Sequence, residues 1–186
     1  MEDALSLSAA SEQAYRRILI ACIGNIFLGD DAFGVEVAQR LRNRQYPEGV
    51  KVVDFGIRGM DLAYTLLDSY DTLVLVDAVP RGGQPGTLYL IEPDLAGISH
   101  EKGAEAGRVA LDTHSMDPVK VLAYARTLGA RPIHTLLVGC EPTPTGGGED
   151  YEEMQMGLSE PVQAAIDEAV KMIDSLVEEL LPMGSQ

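Results

Sequence analysis

Thr72-Leu73-Val74-Leu75-Val76-Asp77-Ala78-Val79, then Pro80 to Gly86, then Thr87-Leu88-Tyr89-Leu90-Ile91: this stretch decides the fold. The first run is short, continuously apolar and rich in β-branched residues, which reads as a strand covered on both faces. The second run also reads as a strand. Only Pro80 to Gly86 separates them, whereas a parallel crossover needs a dozen or so residues. The strand over Thr87–Ile91 is therefore expected to run antiparallel, at a sheet edge.

Upstream, Arg17 to Gly24 (RILIACIG) is another short apolar run, ending at Gly-Asn, and reads as the first core strand. Phe33, Val37 and Leu41 recur at helical spacing through Arg44, with Asp30 and Asp31 placed where a helix prefers acidic residues. A second strand is expected over Val50–Phe55 and a second helix over Met60–Leu67. Strand, helix, strand, helix, strand argues for a parallel sheet with right-handed crossovers. Downstream, Pro93 to Asp112 has no period and reads as a long functional loop or a poorly ordered one, Pro118–Leu128 as a helix and Ile133–Cys140 as the last strand. Leu158, Val162, Ile166, Val170, Ile173, Val177 and Leu180 form an apolar stripe, so a long amphipathic helix is expected, stopped near Pro182.

At 186 residues with 46% hydrophobic and 23% charged content, the chain fits one domain over 1–186. Residues 1–15 are expected to be a flexible extension and 143–156, containing Thr-Pro-Thr-Gly-Gly-Gly, a flexible loop. The net charge of −15 disfavours nucleic acid, which is held by Lys and Arg against phosphates. From Glu141 to Gln186 there are 11 acids and one base, so −10 of the excess belongs to the tail. Cys22 and Cys140 form no C-x-x-C pair and give no disulfide framework. The acidic N-terminus does not resemble a signal peptide, and no apolar run approaches the ~20 residues of a membrane span, so a soluble, cytoplasmic protein without membrane contact is expected.

In an open α/β sheet, ligands bind beyond the carboxyl ends of the strands, where chain order reverses. Strands one and three would bring Asn25–Asp31 and Asp77 to one crevice, and His114 precedes a helix whose N-terminus faces the same edge. Gly24 to Asp31 (GNIFLGDD) is not a phosphate cradle, because it lacks G-x-G-x-x-G and offers Asp-Asp where a Walker-type loop needs Lys and Ser or Thr. Asp30 or Asp31 can cap the following helix, but capping needs only one of them. Asp77 leaves the strand at the core boundary, where a charge must be paired, hydrogen-bonded or on a metal. Thr113 or Asp117 can cap the helix at Pro118, so His114 is not needed there, and His100 and His134 read as structural. Two carboxylates and an imidazole from three loops make an open site suited to Ni, Zn, Fe or Mn. With no H-E-x-x-H, a helix-borne zinc protease is excluded, and neither cysteine has a His near it in sequence to activate a thiolate.

Ile23-Gly24-Asn25-Ile26-Phe27-Leu28-Gly29-Asp30-Asp31-Ala32-Phe33-Gly34-Val35, Asp54-Phe55-Gly56 with Gly59-Met60, Leu75-Val76-Asp77-Ala78, Thr113-His114 and Gly157-Leu158-Ser159 together resemble the [NiFe]-hydrogenase maturation endopeptidases. The resemblance implies a three-layer α/β/α sandwich around a five-stranded, mostly parallel sheet of order 2-1-3-5-4 with strand four antiparallel. It implies an aspartic-type endopeptidase that removes the C-terminal extension of the hydrogenase large-subunit precursor once nickel is inserted. The family's three metal-contacting positions fall on Asp31, Asp77 and His114, which would also be the catalytic positions, with nickel supplied by the substrate. Asp31 stands where many relatives carry Glu, Ala32 where Gly is common, and Cys22 where the first Gly of Gly-x-Gly-Asn is usual. Two readings from other classes are a non-catalytic chaperone or docking module for the nickel centre, and a receiver-like phosphoacceptor; the latter wants Lys after the last strand, where Glu141 stands.

Overall fold

Ile18–Ile23 is buried along its whole length and forms β1, the strand whose two faces both meet helices. The computed structural model describes residues 16–93, 95, 117–144 and 156–181. The extension 1–15, nearly all of the loop after Pro93 with His100 and His114, residues 145–155 and the helix stop at Pro182 lie outside the described residues.

After β1 come a 3-10 turn over Gly29–Ala32, α1 (Phe33–Leu41), β2 (Val50–Gly56), α2 (Gly59–Thr65), β3 (Thr72–Ala78), β4 (Leu88–Ile91), α3 (Pro118–Thr127), β5 (His134–Cys140) and α4 (Glu160–Leu180). The sheet order is β2-β1-β3-β5-β4. All neighbours are parallel except β4 and β5, which are antiparallel. The short connection therefore has the consequence read from it. α1 ends at Leu41 rather than Arg44, because Leu41 is the last residue of its apolar stripe and the chain turns there, with the Arg44 amide donating to the Leu41 carbonyl at 2.9 Å.

Alternation along β1 separates two cores. Ile18, Ile20 and Cys22 pack with Phe33, Val37 and Leu41 of α1 and Val162, Ile166, Val170 and Ile173 of α4. Leu19, Ala21 and Ile23 face Leu62 and Leu66 near α2 and Leu122 and Ala125 of α3. Cys22 is thus a small core residue. Polar ties hold α1 and its C-terminal turn to α4: Arg40 pairs with Asp167 at 2.6 Å, Arg44 with Asp174 at 3.1 Å, and the Tyr46 hydroxyl donates to Asp174 at 2.7 Å. At α3, Asp117, one of the two caps the sequence allows, accepts from the Val119 amide at 2.9 Å with Pro118 at the first position.

One glycine sets how closely α1 approaches the sheet. A Cβ on Gly34 would lie 2.0 Å from the Ile23 carbonyl oxygen and 2.4 Å from that of Val76, both backbone atoms that no rotamer change can move aside. Gly34 thereby lets α1 begin directly over the carboxyl ends of β1 and β3. Those are the ends that carry the acidic residues.

Candidate active site

In register, Cys22 of β1 lies beside Val76 of β3, so the chain leaves both strands at one level of the sheet edge. From β1 it enters the loop Gly24–Asp31. A Cβ on Gly24 would sit 2.1 Å from the Asp31 carbonyl oxygen, so only glycine lets the loop return this tightly upon itself. The Asn25 amide donates to the Asp31 carbonyl at 3.1 Å and to its carboxylate at 3.0 Å. From β3 the chain passes five buried residues and then presents Asp77, whose carboxylate accepts from the Ala78 amide at 2.8 Å.

The two carboxylates titrate as neighbours. Burial pushes Asp77 up to about 8, and the negative charge of Asp31 raises it further than its one amide hydrogen bond lowers it. Burial also raises Asp31, against the hydrogen bond from Asn25. Near neutral pH, Asp77 therefore holds a proton and the pair carries roughly one negative charge between them. Neither acid forms an ion pair among the described residues. A divalent ion fits this donor set: it would relieve the repulsion between the neighbouring carboxylates, with release of the proton on Asp77. Of the three residues the sequence singles out, Asp31 and Asp77 are brought together, while His114 lies outside the described residues. Among the described residues no group of three or more His, Cys, Asp and Glu is arranged to hold a metal.

Asp30 does not cap its own helix. Neither the 3-10 turn nor α1 has a side-chain cap bond. Its carboxylate instead accepts from the Thr143 amide at 2.8 Å, the Ser159 amide at 2.6 Å and the Ser159 hydroxyl at 2.8 Å. It fastens the β1–α1 loop to the chain after β5 and to the start of α4, so Thr143, the first residue of the expected flexible loop, is held. Burial alone would raise Asp30, but the bonds from Ser159 and Thr143 outweigh it and hold the acid below the usual range. Its contribution is present above the ordinary Asp pKa and is lost as pH falls through the lowered one. Asp30→Ala is expected to cost about 2–3 kcal/mol at neutral pH, with the gap to the parent shrinking in acid, as denaturant titrations at both pH values would read.

Glu141 is a second site-edge acid with a structural role. It is 4% exposed and accepts from the Arg81 amide at 2.9 Å, the Gly82 amide at 3.0 Å and the Tyr89 hydroxyl at 2.8 Å. These donors hold its pKa below the usual value although burial opposes ionisation. It ties the loop that follows Asp77 to the end of β5. The sequence shows only that no Lys stands there; the signal that could have found it is Gly82-Gly83, whose adjacent amides need an acceptor. The cysteines are unsuited to nucleophilic work: burial raises Cys22 strongly, with Asp54 adding, and pushes Cys140 up to about 12. His134 sits at the opposite end of β5, 3.3 Å from Glu92.

The partly buried carboxylate pair at the carboxyl edge of this sheet can move a proton or hold a cation, and comparison with known proteins defines the site further. The family model for hydrogenase maturation protease matches residues 35–176. The hydrogenase expression/formation protein HoxM of Azotobacter vinelandii is 33% identical over 156 residues, covering 83% of this chain and 69% of its own. The E. coli hydrogenase maturating endopeptidase HybD superposes with a TM-score of 0.62 at 28% identity, covering 88% of this chain and 93% of that one. The [NiFe] hydrogenase maturation protease HycI of Thermococcus kodakarensis gives 0.57 at 26% identity, with 90% and 94% covered. The chain belongs to the hydrogenase maturation proteases. It is a peptidase, which sets aside the non-catalytic and receiver-like readings. Among the described residues no helix is long and apolar enough to cross a membrane.

Proposed function

We propose that this peptidase removes the C-terminal extension of a [NiFe]-hydrogenase large-subunit precursor after nickel insertion, with the precursor's nickel gripped by Asp31, Asp77 and His114. The observation that carries the reading is the carboxylate pair: two acids from separate strand ends share a charge at one edge, with no cation beside them among the described residues. Nickel is part of the substrate in this scheme. Its engagement by Asp31 and Asp77 reports that the precursor is assembled and sets the scissile bond in the crevice. A carboxylate of the pair takes a proton from the attacking water as its oxygen adds to the peptide carbonyl. The C–N bond then breaks, and the proton goes to the leaving amine.

Two outcomes follow. Replacing His114 by Ala is expected to lower cleavage by at least about 100-fold, read as mass loss from the nickel-loaded precursor, with the melting transition little changed. Full cleavage by that variant would remove His114 from the site. Because Asp77 must lose its proton to engage a cation, kcat/KM should rise roughly tenfold per pH unit below neutrality and level off near pH 8. A profile flat from pH 6 to 9 would contradict a role for the buried proton.

A further inference from the structure

We propose that Ile26, Phe27 and Leu28 grip apolar residues of the precursor beside the scissile bond, an inference that rests on the peptidase reading above. These three consecutive side chains are 42%, 46% and 50% exposed. Single exposed apolar residues are ordinary on any surface; a contiguous run beside a reactive site is not.

The loop that carries them cannot fold them away. The Phe27 amide donates to the Asn25 side-chain oxygen at 3.0 Å, the Leu28 amide to the Asn25 carbonyl at 3.1 Å, and the Asp31 amide to the Leu28 carbonyl at 3.2 Å. Asn25 is in turn held by the Asp31 carbonyl and carboxylate. Apolar tip and acid are thus one hydrogen-bonded unit, so a chain lying across the tip is placed relative to Asp31. The Gly24 amide also donates to the Gly56 carbonyl at 3.1 Å, next to the exposed Ile57.

The occupant follows from continuity and charge. A segment about to be cut at Asp31 and Asp77 must pass the loop that holds Asp31, and this loop offers no charged group before Asp30. A second copy of the chain brings another −15, which opposes self-association through the same face. An uncharged, apolar stretch of precursor is the partner that fits, with specificity set by side-chain burial on a preformed surface.

The test compares the full chain with Phe27→Ser/Leu28→Ser and, as a control, Leu67→Ser. Leu67 is 43% exposed in the turn that leads into the start of β3, at the opposite edge of the sheet. With nickel-loaded precursor as probe, the double variant should raise both KM and the directly measured Kd by at least about tenfold while kcat stays within about threefold, and Leu67→Ser should change none of them. Unchanged KM and Kd would overturn the proposal. So would a parent protein whose concentration-dependent dimerisation the double variant abolishes, since the tip would then cover a second copy. A parent that binds precursor without cutting it would sink the peptidase reading while leaving the Kd comparison to decide on the tip. A parent that does not bind precursor would sink both.

Discussion

Asp77→Asn is expected to yield a protein that no longer cuts precursor and yet melts at a higher temperature than the parent in mild alkali. The buried acid is raised from an ordinary value of 3.8 to about 8. Between those values the folded chain binds a proton that the unfolded chain has released, so stability falls as pH rises through the window. Across about four pH units at about 1.4 kcal/mol each, the penalty at pH 9 is on the order of 5 kcal/mol. Asparagine removes the ionisation and keeps an oxygen to accept from the Ala78 amide, so the hydrogen bond at 2.8 Å survives. Calorimetry should therefore show a gain of at least about 5 °C at pH 9 and almost none at about pH 3, where Asp77 of the parent is largely protonated in both states. Cleavage should fall by at least about 100-fold at every pH, because the amide can neither take a proton from water nor bind a cation as a carboxylate does. A variant destabilised at pH 9 would mean that Asp77 is paired rather than strained.

That gain and loss together show what the fold does to the site. The core strands half-bury Asp77 where its charge is poorly solvated, and Asp31 beside it adds to the cost. Under the proposed function, a precursor that brings a divalent centre would remove the penalty, so binding energy would be available for an assembled substrate and withheld from an empty one. β3 is buried up to Val76, the last residue before Asp77.

Much of this arrangement is legible in the residues. Seven residues between two strand-like runs dictate the antiparallel β4, and the heptad-like stripe from Leu158 to Leu180 dictates a long helix laid on the sheet. Asp31 and Asp77 are found because strand ends in a parallel sheet are where acids have chemical work. Asp30 and Glu141 escape such reading, since their partners lie 113 to 129 and 52 to 60 residues away and no periodicity links them. The elevation of Asp77 is likewise invisible, because it depends on how deeply helices bury the strand end. The exposed Ile26-Phe27-Leu28 tip reads in sequence as one more apolar run; only the returning loop turns it outward.

The second large effect concerns the substrate. If the pair and His114 grip the precursor's own nickel, removing that metal takes away both the cation that discharges Asp77 and the contact that places the scissile bond. Nickel-free precursor should then be bound weakly and left whole, whereas a resident metal in the peptidase would cut both forms. Adding nickel to the peptidase alone should not restore cleavage of the empty precursor, because the ion must sit in the substrate to position it.

The decisive measurement is the mass of nickel-loaded and nickel-free large-subunit precursor after incubation with the purified protein. The expected result is loss of a single C-terminal peptide from the loaded form and an intact mass for the empty form. Equal cleavage of both would contradict the grip on nickel, and an intact mass for both would contradict the proposed substrate.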